Sequence, residues 1–376
     1  MLPALDLSRA VAYHYDAFPP GNIDYARLVP MISQATFALA RYDQVLKTLH
    51  NSDFLLTPLR SQEAVVSSRM EGTISTLEDV LRFEAEDEGG SAAEMKSGRN
   101  DTLEVALYAR ALKASQSALR DGYPLSDHVV RSTHRALLEY GRGAAFNPGG
   151  YKTEQNYLVD RGSRRVTFVP ISPERLNDGL QALFSFINAD AGEILSRTAL
   201  AHVEFEALHP FKDGNGRIGR MLIPLMLWKA GAISEPHFYV SQFFEERKDE
   251  YVDLMRNVSA SGAWTEWVDF FLEGVATQAN RNLATAEAIR NLYETMKDRF
   301  REALGSQWST IALDFMFTRP VFRNAVFTTT AGIPTQTAHR FARTLVAQRM
   351  LAVVRPASGP RSAIYAFEPL LALVRG

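Results

Sequence analysis

The chain has 376 residues, 46% of them hydrophobic and 22% charged, with a formal net charge of −2. This composition is that of a globular protein with a sizeable buried core and argues against disorder. The absence of cysteine excludes disulfides and thiolate chemistry. Any catalysis must therefore use histidine, carboxylate, arginine, lysine or hydroxyl groups.

The N-terminal segment has no basic lead before an apolar block, and the apolar run from Met221 to Trp228 is far too short to span a bilayer. We therefore expect a cytoplasmic protein with no membrane segment. Charge is distributed unevenly along the chain. From Ser309 onward eight arginines face two acidic residues, which gives this segment +6 and leaves −8 on the rest.

The first part of the chain is predicted to be helical, because apolar residues recur every three or four positions in residues 29–50, 101–119 and 124–140. Ser126 is a predicted helix N-cap. The acidic, then small and polar segment 84–101 predicts a loop within a helical domain. Gly and Pro punctuate short β-branched and aromatic runs between Asn147 and Pro173, which predicts a hairpin.

Helical patterns resume after the hairpin, in residues 172–188, 196–208, 218–231, 246–258 and 264–300. The tail, from residue 309 onward, has a different order of predicted elements. A helical segment at 309–318 precedes a turn with Gly332, a second helix and two strand-like runs at 351–356 and 363–369. This order is typical of a winged helix-turn-helix.

The segment Leu208 to Arg220, LHPFKDGNGRIGR, differs from the apolar helices around it. Its glycines leave backbone N–H groups open at the start of a new helix, where the helix dipole is positive, and such a loop can hold a phosphate. Arg217 and Arg220 lie three residues apart on one helix face. They can therefore bind further phosphate oxygens.

Two further side chains in this segment suit group transfer. Asp213 is a hard oxygen ligand of the kind that Mg²⁺ prefers, and His209 can accept a proton near neutral pH. Each feature alone also has a structural interpretation, because glycine-rich turns and core histidines are common. A helix cap needs one glycine, however, whereas here two glycines flank an asparagine and two arginines follow. Together the residues predict transfer of a phosphate-bearing group to a hydroxyl.

HPFKDGNGRIGR resembles the signature of the Fic (filamentation induced by cAMP) family, HPFx[D/E]GNGRxxR, at every fixed position, and the resemblance extends over roughly residues 10–300. It implies a mainly α fold, in which a Fic-type helical core with a β-hairpin flap is followed by the small winged helix-turn-helix domain. We expect an N-terminal helical region at 1–110, a catalytic core at 111–300 and the winged helix at 306–376. The implied enzyme is an ATP- and Mg²⁺-dependent protein adenylyltransferase, which transfers AMP to a Ser, Thr or Tyr hydroxyl of a target protein or of itself.

The same resemblance assigns the site residues. His209 is the general base, Asp213 the Mg²⁺ ligand and Phe211 the apolar anchor of the loop. The residues that hold the ATP phosphates are Gly214, Asn215, Gly216, Arg217, Ile218, Gly219 and Arg220, with Arg220 at the γ-phosphate. Relatives of the Doc type, which phosphorylate, commonly carry a bulkier basic residue where this chain has Gly216, so Gly216 favours AMP transfer.

Three other segments resemble parts of the family. Arg165, Val166, Thr167 and Phe168 resemble the flap, whose exposed edge pairs with an extended stretch of the target; a plain surface hairpin is the alternative. Tyr251 is a candidate to stack on adenine. SSRMEG matches the inhibitory pattern [S/T]xxxE[G/N] with Ser67, Glu71 and Gly72, and Gly72 suits a helix end. By this resemblance Glu71 pairs with Arg220 and displaces the γ-phosphate, which would misalign ATP.

The basic tail leaves two hypotheses open. In the first, the chain is an adenylyltransferase inhibited by Glu71, and its tail recruits protein partners. In the second, it is a DNA-binding regulator whose core senses nucleotide or modifies the chain itself; residues 335–349 would then enter the major groove and Arg361 would touch phosphate. A winged helix serves either purpose. The family resemblance adds a homodimer as an expectation.

Overall fold

The computed structural model describes residues 6–48, 57–87, 100–160, 162, 165–189, 191–359 and 361–374. Its helices are, in chain order, α1 (Tyr25–Thr48), α2 (Thr57–Met70), α3 (Leu77–Asp87), α4 (Asn100–Arg120), α5 (Asp127–Leu137), α6 (Leu176–Asn188), α7 (Ile194–Leu208), α8 (Asn215–Lys229), α9 (Ser241–Glu246), α10 (Lys248–Ser261), α11 (Trp264–Leu304), α12 (Ser309–Thr318), α13 (Asn324–Thr330), α14 (Thr335–Ala347) and α15 (Glu368–Val374). The strands are β1 (Val11–Ala12), β2 (Leu158–Val159), β3 (Val166–Val169), β4 (Val321–Arg323), β5 (Leu351–Arg355) and β6 (Ile364–Phe367). The mainly helical prediction is confirmed, and none of these helices is long and apolar enough to cross a membrane.

The chain divides into two compact units, Met1–Ala40 with Arg110–Asn280, and Arg41–Ala109 with Arg281–Gly376. This division differs from the predicted boundaries at residues 110 and 300. The physical reason lies in the second unit, where α3 packs against β4 and α15 packs against α2. These contacts join a segment before the core to the segment after it.

The first unit is built on the packing of α7 against both α8 and α6. Periodic apolar residues drive this packing, and its core includes the fully buried rings of Phe205, Phe211 and Trp267. The indole Nε1 of Trp267 donates to the Ala199 carbonyl of α7 at 2.8 Å, so its one polar atom is satisfied. The α7–α8 pair therefore presents its connecting loop from a rigid base.

A small sheet in the first unit has the order β1-β3-β2. The strand β2 pairs antiparallel with β3, as the predicted hairpin requires, whereas β1 pairs with β3 in parallel. The Asp6 carbonyl and the Tyr13 N–H extend the β1 pairing along β3. Both edges of β3 are therefore hydrogen-bonded to other backbone segments.

The second unit contains the tail in the order α12, β4, α13, α14, β5, β6 and α15, with an antiparallel sheet of order β4-β6-β5. The helix pair and the following hairpin occur where the tail pattern predicted them, and the winged-helix interpretation stays a prediction. The short strand β4 and the helices α13 and α15 had no counterpart in the sequence pattern.

Two local predictions need correction. Residues 84–87 and 100–101, predicted as loop, are the last turn of α3 and the start of α4, while residues 88–99 of that predicted loop lie outside the described residues. Ser126 does lie at the N-cap of α5 with extended backbone, but its side chain makes no capping hydrogen bond.

Candidate active site

The loop between α7 and α8 starts and ends in left-handed backbone. His209 is the C-cap of α7 with φ 46° and ψ 60°, and Gly214 is the N-cap of α8 with φ 79°. For a residue with a side chain this conformation costs roughly 1–2 kcal/mol. The His209 N–H donates to the Phe205 carbonyl at 3.0 Å, and its Nδ1 lies 3.3 Å from the Glu206 carbonyl. These two contacts hold only His209 within α7, so the loop residues after it depend on contacts from other elements.

The carbonyl groups of four consecutive residues, 208 to 211, accept hydrogen bonds from Lys152 and Asn156, which precede β2. Lys152 Nζ donates to the Leu208 carbonyl at 2.9 Å, and its backbone N–H donates to the Pro210 carbonyl at 2.8 Å. Asn156 Nδ2 donates to the carbonyls of His209 and Phe211, both at 3.1 Å. Neither side chain carries a local sequence signal for this role.

Asn215 closes the loop from the opposite end. Its Oδ1 accepts from the Phe211 N–H and its Nδ2 donates to the Phe211 carbonyl, each at 2.8 Å. The Phe211 ring is fully buried and stacks on His134, with 3.6 Å between ring centroids and 8° between planes. These contacts hold Phe211 and Asn215 against each other, and the phosphate-binding role of Asn215 stays a prediction.

His134 supports the loop as a neutral ring. Its Nδ1 accepts from the Gly149 N–H at 2.8 Å, so its Nε2 carries the proton and donates to the Asp213 carbonyl at 2.9 Å. Burial lowers the pKa of His134 to about 4. Sequence patterns gave no reason to single it out.

The segment predicted to hold phosphate is buried from Gly214 to Arg220. Arg217 is 2% and Arg220 3% exposed. Asp213 Oδ1 accepts from the Gly214 N–H at 2.7 Å, while Oδ2 lies 3.5 Å from an Arg217 nitrogen. Arginine side chains desolvated to this degree at a helix N-terminus suit a polyanion.

The described residues contain no cluster of three or more His, Asp or Glu that could enclose a metal ion. Asp213 keeps about a third of its side chain exposed. A single exposed carboxylate fits Mg²⁺ that arrives with a nucleotide, because Mg²⁺ keeps several waters and commonly takes one or two carboxylates plus phosphate oxygens.

His202 fixes the first turns of α8 from within the core. It accepts from the Tyr251 hydroxyl at Nε2 (2.8 Å) and donates from Nδ1 to the Gly219 carbonyl (3.1 Å). Burial lowers the pKa of His202 to about 3. Tyr251 is 3% exposed and its ring packs 4.6 Å from that of Phe244. The interpretation of Tyr251 as an adenine-stacking residue is therefore wrong; it is a core residue.

The flap prediction also needs correction. Val166, Thr167 and Phe168 lie on β3, the central strand, and Arg165 directly precedes it, so β3 has no free edge for a target. Val166 and Phe168 are 1% and 7% exposed. The edge strand of the hairpin is β2. Its neighbour Tyr157 and its own Val159 are 37% and 41% exposed.

The SSRMEG segment ends a helix as its glycine predicted. Gly72 has φ 94° and donates to the Arg69 carbonyl at 2.9 Å, and the Thr73 N–H donates to the Ser68 carbonyl at 3.1 Å. Ser67 is fully buried. Glu71 belongs to the second compact unit and Arg220 to the first. Their pairing stays a prediction.

Comparison with known proteins agrees with this loop and fold. Residues 29–117 match the N-terminal domain of the Fic/DOC family, and residues 124–227 match the Fic/DOC family domain itself. The chain therefore belongs to the Fic/DOC family.

Similar proteins include Protein adenylyltransferase fic-1 of Caenorhabditis briggsae, 25% identical over 234 residues that cover 57% of this chain and 43% of that one. Protein adenylyltransferase fic-1 of Caenorhabditis elegans is 33% identical over 105 residues, 27% of this chain and 19% of that one. The chain thus spans less than half the length of these relatives.

Two solved structures share the fold. A Fic family protein from Desulfovibrio desulfuricans G20 superposes with a TM-score of 0.54 at 20% identity, over 93% of this chain and 98% of that one. Fic-1 from C. elegans superposes with a TM-score of 0.51 at 20% identity, over 74% and 80% of the two chains. At this identity the likeness shows the fold alone.

Proposed function

We propose that the chain is an ATP- and Mg²⁺-dependent protein adenylyltransferase. The observation that carries this proposal is the α7–α8 loop, which places His209 at the end of one helix and buried Arg217 and Arg220 in the first two turns of the next. The match to the Fic/DOC family and the relatives named protein adenylyltransferase support it.

In the proposed reaction His209 takes the proton from a Ser, Thr or Tyr hydroxyl of the target. The hydroxyl oxygen forms a bond to the α-phosphorus of ATP, the α–β phosphoanhydride bond breaks, and pyrophosphate leaves. The N–H groups at the start of α8 and the two arginines hold the phosphates at the positive end of that helix. Mg²⁺, held through Asp213, would neutralise phosphate charge.

We assign the target-docking edge to β2. It is the edge strand of the hairpin, with Tyr157 and Val159 exposed beside it. An extended segment of the target can add to such an edge through backbone hydrogen bonds. Asn156, next to Tyr157 in the chain, bonds the His209 carbonyl, so a strand docked here would lie close to the base.

Inhibition by Glu71 is part of the proposal. Ser67 lies in the last turn of α2, which ends at Met70, and Glu71 and Gly72 form the turn that follows it. A carboxylate that competes for Arg220 would leave the nucleotide able to bind but misaligned, and a misplacement near 1 Å can cost about a hundredfold in rate.

The test is incubation of wild type, Glu71→Gly and His209→Ala with Mg²⁺ and ATP labelled at the α-phosphate, followed by mass analysis for added AMP. We expect strong labelling of the chain itself or of lysate proteins by Glu71→Gly, weak labelling by wild type and none by His209→Ala. His128→Ala is the control, because this histidine is exposed on α5. Label that enters only in a parallel incubation with ATP labelled at the γ-phosphate would instead establish phosphotransfer, and no label in either incubation would overturn both.

A second candidate function is DNA binding, which α14 favours. Its solvent face carries Gln336, His339, Arg340 and Arg343, and the helix contains no acidic residue. A helix face with basic and polar side chains and no acidic ones suits binding in a groove of duplex DNA. Retardation of duplex DNA that weakens steeply with salt, and that is lost in Arg340→Glu/Arg343→Glu but kept in Arg301→Glu on α11, would support this function. Unchanged mobility at low salt would exclude it.

A further inference from the structure

Lys152 and Asn156 form a clamp between the hairpin and the segment that carries His209. Together they donate to four successive carbonyl groups, residues 208 to 211. Gln155, between them, donates from Nε2 to the Pro170 carbonyl at 3.0 Å, just past the other end of the hairpin. The entry and exit of the hairpin and the base-bearing segment are therefore tied to one short stretch of chain.

We infer that Lys152 and Asn156 are positioning residues that set the distance between a target strand docked on β2 and the imidazole of His209. This inference rests on the proposed adenylyltransferase function. The clamp holds the segment that includes His209 in its left-handed conformation, and it does so from the residues that lead directly into β2.

Lys152 determines which way the Asn156 amide faces. Its Nζ donates to Asn156 Oδ1 at 2.9 Å, so the amide nitrogen must face the carbonyls of His209 and Phe211. In the flipped orientation Oδ1 would lie about 3 Å from two carbonyl oxygens, which repel it. The lysine thus acts on the catalytic segment through the asparagine.

A purely structural role explains Lys152 poorly. The side chain is 3% exposed and its described partners, the Leu208 carbonyl and Asn156 Oδ1, are both uncharged. Burying an ammonium without a carboxylate is costly, and an apolar side chain of similar length would fill the same space without that cost. Burial accordingly lowers the pKa of Lys152 to about 7.

The end of the loop that is predicted to hold phosphate is held in place by other residues. His134 bonds the Asp213 carbonyl, and Asn215 bonds Phe211 from within α8. Loss of the clamp should therefore displace the base while the nucleotide site stays intact. That separation distinguishes positioning from general loss of structure.

The chain offers a matched control for Asn156, because a second asparagine accepts from a lysine and donates to two carbonyl groups. Lys229 Nζ donates to Asn188 Oδ1 at 2.7 Å, and Asn188 Nδ2 donates to the carbonyls of Leu125 and Phe184 at 2.7 and 2.8 Å. Lys229 ends α8, whose first residue is Asn215. At 1.5 Å per residue it is about 20 Å from the loop.

The experiment uses the full chain with Asn156→Asp, Lys152→Met, Lys152→Arg and the control Asn188→Asp. It measures the rate of AMP transfer, the Kd of a non-hydrolysable ATP analogue with Mg²⁺, and hydrogen exchange of peptides covering 206–212 and 215–229. For Asn156→Asp and Lys152→Met we expect at least a tenfold loss of kcat, less than a threefold change in Kd, and faster exchange only in the 206–212 peptide. Lys152→Arg, which keeps the donors, should retain more activity than Lys152→Met, and Asn188→Asp should match wild type.

The inference is overturned by an Asn156→Asp variant with wild-type rate and exchange, or by one in which Kd rises as much as kcat falls. Failure of the proposed function has a different signature, since neither wild type nor Glu71→Gly would transfer AMP. In that case the exchange of the 206–212 peptide still decides whether Lys152 and Asn156 hold the segment.

Discussion

The side chain of Asn215 hydrogen-bonds both backbone groups of Phe211, at 2.8 Å each, across the loop that carries His209. This contact joins the first residue of α8 to the anchor of the loop. Since Phe211 is fully buried, no water can replace either bond.

Replacement of Asn215 by alanine should therefore destabilise the chain and abolish AMP transfer. A buried polar group left without a partner costs about 1–3 kcal/mol. The Phe211 N–H would bear that cost, whereas the Phe211 carbonyl keeps its hydrogen bond from Asn156. Urea unfolding and α-phosphate labelling measure the two effects. Asn280→Ala is the control for stability, because its side chain donates to one carbonyl, that of Ala276, within α11. A fully active Asn215→Ala variant would show that the loop does not depend on this contact.

Gly214 and Gly262 permit a matched test of the anion loop. Both glycines are left-handed caps, with φ 79° and 71°, and an added Cβ would meet nothing closer than 3.4 Å at Gly214 and nothing within 4 Å at Gly262. Alanine at either position should cost about 1–2 kcal/mol of stability through backbone strain. Only Gly214→Ala should also weaken binding of an ATP analogue, which calorimetry would measure. Equal nucleotide affinity in the two variants would argue against a phosphate site at the start of α8.

Two of the buried histidines, His134 and His202, predict an acid-sensitive fold. Burial lowers the pKa of His134 to about 4 and that of His202 to about 3, from 6.5. Below pH 6.5 the unfolded chain therefore binds protons that the folded chain does not, and the free energy of unfolding falls as pH decreases from 6.5 toward 4. The stabilisation is fully present above pH 6.5.

Urea unfolding of wild type and His202→Gln at several pH values between 7 and 4.5 tests this. Glutamine can still donate to Gly219 and accept from Tyr251 but does not titrate, so we expect a shallower pH dependence even if stability at pH 7 is lower. His128→Gln on the exposed face of α5 should leave the slope unchanged. A slope identical in wild type and His202→Gln would refute the assignment.

Sequence predicted the parts of the site that are contiguous in the chain. His209, Asp213 and the glycines and arginines that follow lie on one loop and one helix, and local pattern is enough to find them. Lys152, Asn156 and His134 reach that loop from other elements, and His202 bonds that helix at Gly219. Each is an isolated polar residue in its own segment, so only the fold shows their role.

Long-range pairing also explains the error at the flap. The hairpin of β2 and β3 follows from turn residues and β-branched runs, which are local signals. The parallel partner of β3 is only two residues long and lies more than 150 residues earlier in the chain. No periodicity marks such a strand, and its presence changes β3 from an edge to a central strand.

The exposed edge of β2 gives the last prediction. Tyr157 and Val159 are more than a third exposed beside the proposed docking edge, so their replacement by serine should remove apolar contacts with a target without disturbing the core. We expect a higher KM for a protein target, unchanged affinity for an ATP analogue, and unfolding free energies within about 0.5 kcal/mol of wild type. The control is Val353→Ser, since Val353 is 47% exposed on β5 of the other sheet. If Tyr157→Ser and Val159→Ser leave KM unchanged while Thr167→Ala on β3 raises it, the target docks elsewhere on the hairpin and the assignment to β2 is wrong.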